Sequence, residues 1–284
     1  MVQPGFLSSA DVQAWLNGVH PAWTALDFES FCRLHSDPDD PAFPISMSTS
    51  NSSPMATNAM LFLSRLVDGA KLTATGNLTR AFVAEAIETL SWPAFDPEEA
   101  FWLHKVINER DFLPLHAMRV FCDRAKLIRV YKGQLRLTKA GKQIVAAQDF
   151  GRLHGELFRA AFWKTNLAYF DGHPLAPWPQ GDVGLVLWCL SVSAHRWQSP
   201  HMLVRSCTVP INGILEDQYR GELGGYILEH RILRPVSWFG LLDVETLPHP
   251  EFKTIKLRRY RKAPTFDQFL SFTVCLEPHE GGIQ

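Results

Sequence analysis

The chain has 284 residues, is 46% hydrophobic and 12% aromatic, and carries a formal net charge of -1. Those values exclude a disordered or fibrous protein and leave room for two packed domains. Five cysteines, odd in number and far apart, exclude a small disulfide-stapled secreted scaffold and favour a reducing compartment.

The N-terminus lacks a basic region followed by an apolar core. The longest apolar-rich run, Val183 to Leu190, is far shorter than a bilayer span. No membrane association and a cytoplasmic location in a bacterial cell are therefore expected.

In chain order, Ser8 to Asp11 starts a helix whose Val12, Trp15 and Leu16 share one face. The stretch from about 36 to 54 is rich in Ser, Asp, Asn and Pro and predicts a linker or long surface loop. A helix comes next from Thr57 to Asp68 and is ended by Gly69. Lys71 to Thr75 is then a short strand, and Thr79 to Leu90 a second helix.

Beyond these lie helical periodicity over Glu98 to Asn108, a turn at Asp111 to Pro114, and a helix over Leu115 to Ala125. Leu127 to Tyr131 and Gln134 to Thr138 predict an antiparallel hairpin turned at Lys132-Gly133, with a helix over Lys139 to Ala147 behind it. Leu153 to Phe170 reads as helix, and Gly172 to Gly181, with three prolines, marks a boundary. After it the pattern gives an apolar run from Val183 to Val192 and a helix over Glu216 to Leu233. Strands over Trp238 to Val244 and Thr254 to Tyr260 and a short helix over Thr265 to Ser271 end the chain. The expected fold is mainly α (α+β), with short antiparallel hairpins. The expected domains are 1–55, 56–175 and 176–284.

The pattern basic-Leu-Thr-x-x-Gly-polar occurs twice, at Lys71 to Asn77 and Arg136 to Lys142. In both copies the Leu is expected in the core, the Thr as the cap of the next helix and the Gly at a tight approach.

The segment from Leu115 to Val145 resembles winged-helix (helix-turn-helix) transcription regulators: a helix, a basic strand, a wing turn and a strand ending Leu-Thr-x-x-Gly. KLTATGNL, this wing unit, RILRPVSWFGLL, the basic strand after it and TFDQFLSF are similar to the uncharacterised bacterial plasmid ORF-3-like proteins, over about residues 56 to 275. The first resemblance implies several winged-helix-like units, one over about 98–147 and one in the C-terminal domain 176–284. The second implies no activity and supplies no catalytic residues.

Charge is unevenly spread. Between Arg119 and Lys142 eight cations (Arg119, Arg124, Lys126, Arg129, Lys132, Arg136, Lys139 and Lys142) face the single acid Asp123. Between Phe252 and Lys262 six cations, including Lys256, Arg258, Arg259 and Arg261, face no acid. A basic wing is where such a module meets phosphates, although exposed cations on a hairpin also act against aggregation. Sequence-specific base reading is not expected, because Leu115 to Ala125 offers mainly His116, Arg119, Asp123 and Arg124 outward.

Other constellations carry less. Cys189, His195, His201 and Cys207 are evenly spaced but lack the close ligand pairs of a zinc site. There is no nucleophile elbow, Ser-x-x-Lys, phosphate loop or dinucleotide fingerprint. His104, His116 and His154 read as core or boundary histidines. Trp238-Phe239 reads as core, with a single-strand stacking platform as the alternative.

The sequence therefore predicts a non-enzymatic nucleic-acid-binding protein, for DNA in preference to RNA, with no cofactor and no metal. A protein-interaction module, including one that pairs with a second copy of itself, is the other reading; an enzyme comes third.

Overall fold

The computed structural model describes residues 9–49, 53–98, 101, 106–173, 177–215, 222–250 and 256–277. The protein is mainly helical, with three small antiparallel sheets among the described residues. It divides into two compact units, one drawn from 1–47, 171–234 and 243–284, the other from 48–170 and 235–242.

This division differs from the expected one, and two local features explain why. Within the Ser/Asp/Pro-rich stretch expected as a linker, Ile45–Met47 forms strand β1 and pairs with Leu270–Phe272 near the far end of the chain. Backbone bonds extend the pairing: Thr273 N donates to Pro44 O (2.8 Å) and Asp27 N to Cys275 O (3.1 Å). The N-terminal segment thus belongs with the C-terminal half. Conversely, residues 235–242 join the unit built mainly from the middle of the chain.

In the first unit, α1 (Ser9–Leu16) and α2 (Phe28–Arg33) precede β1. Helix Val183–Ser193 is apolar all round and buried from Val183 to Ser191. A Cβ on Gly184 would sit 2.3 Å from the Leu34 carbonyl oxygen, so only glycine allows that approach. Arg231 is fully buried, donating to Asp171 (2.6 and 3.0 Å) and to the carbonyls of Trp178 (2.5 Å) and His173 (3.0 Å). Its charge is tolerated because every side of the guanidinium is met. Cys189 and Cys207 are buried thiols, that of Cys207 pushed up by burial to about 12. Among the described residues no group of three His, Cys, Asp or Glu can hold a metal.

The expected strand at Trp238 to Val244 begins four residues late, at Leu242. The chain is helical to Trp238, Gly240 takes φ +74°, and the strand starts at Leu242. Gly240 N donates to Ser237 O (2.9 Å) and Leu241 N to Val236 O (3.2 Å), the paired bonds of a glycine-terminated helix.

In the second unit, α3 (Pro54–Ser64) is capped by Ser53, whose hydroxyl accepts from Ala56 N (3.0 Å). After it come β2 (Ala70–Lys71), α4 (Arg80–Thr89), α5 (Leu113–Arg124), β3 (Ile128–Tyr131), β4 (Gln134–Leu137), α6 (Lys139–Ala147) and α7 (Phe150–Arg159). Most of the helix expected over 98–108 lies outside the described residues. Strands β2, β4 and β3 form one sheet in that order. Helix α5 packs Leu115, Ala117, Met118, Phe121 and Cys122 inward. Trp238 packs edge-on to Trp92, and Phe239 sits against His154, Phe158 and Phe162. Both are buried, which removes the stacking-platform reading.

The two Leu-Thr echoes have different jobs. Thr138 caps α6, accepting from Gly141 N (3.2 Å), and Gly141 lies so close to β3 that an added Cβ would be 2.2 Å from the Leu127 carbonyl oxygen. Thr73 caps no helix. It closes the turn 73–77 by accepting from Asn77 N (3.1 Å), Thr79 caps α4 instead, and Gly76 has φ +80° with open space around it. The expected strand over Lys71 to Thr75 therefore stops at Lys71. The strands from which the two copies start nonetheless pair, β2 with β4, and Leu72 N donates to Gly133 O (3.0 Å).

Gly141→Ala should lower stability by about 2–3 kcal/mol, whereas Gly76→Ala should cost only about 1 kcal/mol of left-handed strain, as read by urea unfolding. Burial depresses the imidazole pKa of His154 to about 4, from an ordinary 6.5. The unfolded chain thus binds a proton that the folded chain refuses, and this group should lower stability by about 1.4 kcal/mol per pH unit as pH drops from 6.5 towards 4. His154→Gln should take that share off the slope and leave the share of His230, whose imidazole burial also lowers to about 4; an unchanged slope would count against this assignment.

Candidate nucleic-acid interface

The register of the three-stranded sheet sorts its side chains. Ile128 faces Leu137, Val130 faces Leu135, and Ala70 faces Leu135 on the other side, so these residues share one face. The opposite face carries Lys71, Arg129, Tyr131, Gln134 and Arg136, all exposed except the half-buried Gln134. Arg129 and Arg136 are direct cross-strand partners. Like charges at that position repel, so the pairing is unfavourable by itself. Arg136 donates twice to the Gln134 amide oxygen (2.9 and 2.7 Å), an acceptor that orients the guanidinium without neutralising it.

Tyr131 is the centre of this face. The Arg129 and Arg136 guanidinium carbons lie 5.6 and 5.9 Å from its ring centroid, and Lys132 Nζ lies 5.4 Å away. Each contact is weakly favourable and holds a cation over the ring. Lys132 (φ +47°) and Gly133 (φ +71°) make the mirror-image two-residue turn that suits a twisted hairpin. Lys126 (φ +57°) is exposed just before β3, as are Lys139 and Lys142 on α6 and Arg124 at the end of α5. Among the described residues no carboxylate pairs with Arg124, Lys126, Arg129, Lys132, Arg136, Lys139 or Lys142.

Arg119, expected to bind phosphate with these, is committed elsewhere. Its guanidinium meets the fully buried carboxylate of Glu109 and donates to Gly76 O (2.8 Å). Glu109 also accepts from Leu78 N (2.6 Å) and holds His116 through Nδ1 (2.9 Å). Burial pushes this carboxyl upward in pKa, but the His116 bond, the Leu78 amide and the Arg119 charge outweigh it and hold it below its ordinary value. Arg119 and His116 thus position α5 against the 73–78 turn.

The second basic hairpin is also committed. Strand Lys256–Lys262 pairs with Leu242–Pro248. Arg259 meets Glu245 (2.8 Å), Arg261 meets Asp243 (2.8 Å), and Arg258 meets Glu229 (3.2 Å). Arg261 also covers the Trp197 ring at 4.7 Å, and Lys262 pairs with Asp267 (2.8 Å). Two of the acids that offset these arginines alternate along the neighbouring strand, which an acid count confined to 252–262 misses. Lys256 is exposed.

Sequence reasoning also passed over Lys71, Tyr131 and Glu109. The register that puts Lys71 beside Gln134 comes from a pairing between segments far apart in the chain, and nothing in Asn-Glu-Arg-Asp marks the first of its two acids as buried. Among the described residues, no helix is long and apolar enough to cross a membrane.

Residues 51–150, which contain the whole of this sheet, match the family model of the Y4jL N-terminal domain. The uncharacterised protein y4jL of Sinorhizobium fredii (strain NBRC 101917 / NGR234) is 34% identical over 83 residues, 29% of this chain and 38% of that protein. The match thus spans well under half of either protein, and no solved structure matches the chain.

Proposed function

We propose that the basic face of the β2–β4–β3 sheet, extended by Lys126, Lys139 and Lys142, binds the sugar-phosphate backbone of nucleic acid, duplex DNA before RNA, without catalysing a reaction. The observation that carries this reading is the cross-strand pair Arg129 and Arg136 around the exposed Tyr131, which no described carboxylate neutralises. A polyanion relieves that repulsion and gains from each cation it meets. Among the described residues α3, β2, α4, α5 and the β3–β4 hairpin, with β2 beside β4 and further helical residues at 97–98 and 101 between α4 and α5, follow the order expected of a winged helix, which supports the same reading. Binding of this kind reads phosphates and leaves the bases unread. With Arg119 and His116 held by Glu109, the outer face of α5 adds little to base recognition. With its arginines already offset, the 256–262 hairpin adds little charge.

Retardation of duplex DNA should be lost when Arg129, Lys132 and Arg136 are changed together to Glu. Wild-type affinity should fall by roughly a thousandfold between 50 and 200 mM salt, as expected for about six phosphate contacts. Arg259→Ala should leave affinity within about twofold, because Glu245 already offsets that charge. Absence of binding to DNA or RNA at low salt would reject the reading.

A second reading is docking of an acidic protein along the β3 edge of the same sheet. It is favoured by Val130, which is 60% exposed on that edge strand. A complex that survives nuclease treatment and is lost with Val130→Ser is its expected outcome.

A further inference from the structure

A hollow of about 610 Å³ lies along the outer side of α5, entirely within the second unit. Its volume is in the range of small-molecule sites. It is not the basic sheet face: the strand residues that line it are Ile128, Val130 and Leu135, from the side of the sheet opposite Arg129 and Arg136. One wall is the Thr75-Gly76-Asn77 turn and the other is Thr165, Asn166 and Tyr169. The floor is α5 itself, through His116, Arg119, Val120, Asp123 and Arg124.

Two properties make this more than a gap between elements. Its polar floor is held in place from below, because buried Glu109 fixes both Arg119 and His116, and His116 Nε2 lies 3.4 Å from the Tyr169 hydroxyl. Such support from beneath keeps side chains in one geometry without a ligand. The lining is also electrically unbalanced. Three arginines, Arg110, Arg119 and Arg124, face two carboxylates, Glu109 and Asp123, and Glu109 is consumed by Arg119 and His116. Arg110 and Arg124 have no carboxylate partner among the described residues. Between these charges lie Val120, Ile128, Val130 and Leu135 and the ring of Tyr169.

We propose that this hollow binds a small organic anion, a carboxylate or phosphate monoester with an aromatic or aliphatic body. An arginine takes the anionic group, and the body lies on Val120 and against Tyr169. Guanidinium groups suit both anions, because their paired N–H donors match two oxygens. Apolar walls select against inorganic anions, which bring nothing to bury.

The test uses the full chain with phenyl phosphate and benzoate as probes, and inorganic phosphate and phenol as their charge-only and body-only counterparts. Calorimetry and thermal shift should show saturable binding of at least one organic anion, at least roughly tenfold tighter than inorganic phosphate or phenol; which probe binds tells the phosphate from the carboxylate. Arg110→Ala with Arg124→Ala should weaken that binding by roughly tenfold or more, and Val120→Phe, which fills the hollow, should abolish it. Arg129→Glu with Arg136→Glu should leave it unchanged while removing DNA binding, so failure of either site is seen separately. The proposal is overturned if neither organic anion binds, if inorganic phosphate binds as well as phenyl phosphate, or if the Arg110 and Arg124 changes have no effect. Loss of binding with the sheet-face variant overturns it as well, since the anion would then sit on the wing.

Discussion

A carboxylate withdrawn wholly from water costs several kcal/mol unless its oxygens are met by donors and opposite charge. Glu109 is such a group, and the second unit is arranged to meet it. The Leu78 amide comes from the end of the 73–77 turn, and His116 and Arg119 come from successive turns of α5. Arg119 then reaches the Gly76 carbonyl, so one acid ties a turn, a helix and the approach to α4 into a single polar knot. The sheet hangs on the same knot, because the turn continues directly from β2. Removing one partner would leave a buried charge unmet, a larger loss than the attraction itself suggests.

The distribution of charge, more than its sum, separates the two basic hairpins. Both are rich in arginine and both alternate as strands do. Along Lys256–Lys262 the arginines find acids: Arg258 on Glu229, Arg259 on Glu245 and Arg261 on Asp243. The half-exposed pairs of Arg259 and Arg261 contribute little stability, but all three cancel the field that would attract a polyanion. On the β2–β4–β3 sheet the neighbours of the arginines are Tyr131 and Gln134, which orient the cations and leave the field intact.

Local pattern made much of the second unit legible. The alternation of Gln134 to Thr138, the Lys132-Gly133 turn and the Thr138 cap depend on neighbours within a few residues, and the structure has them where the pattern puts them. Features that depend on distant pairing were not legible. Ile45–Met47 is three residues in a stretch of turn formers, and only Leu270–Phe272 makes it a strand. Trp238 and Phe239 sit in a run of β-favouring residues, yet Gly240 closes a helix there. Thr73 and Thr138 occupy equivalent places in a repeated motif and do different work, because the backbone beyond Thr73 folds into a glycine-containing turn whereas that beyond Thr138 enters a helix. Of the candidate site, the positive charge was visible and its neutralisation was not, since Glu229, Asp243 and Glu245 come from other elements.

Lysine at a left-handed backbone position is unusual, and the two flanks of β3 each have one, Lys126 at φ +57° and Lys132 at φ +47°. Asparagine or glycine would occupy either position with less strain. Each of these lysines therefore carries about 1–2 kcal/mol of conformational energy that a glycine at the same place would release. The hairpin's most stable sequence and its most positive sequence are not the same. Substitutions chosen to rigidify this turn would strip charge from its tip, so thermal stability and local positive charge trade against each other within a few residues of backbone.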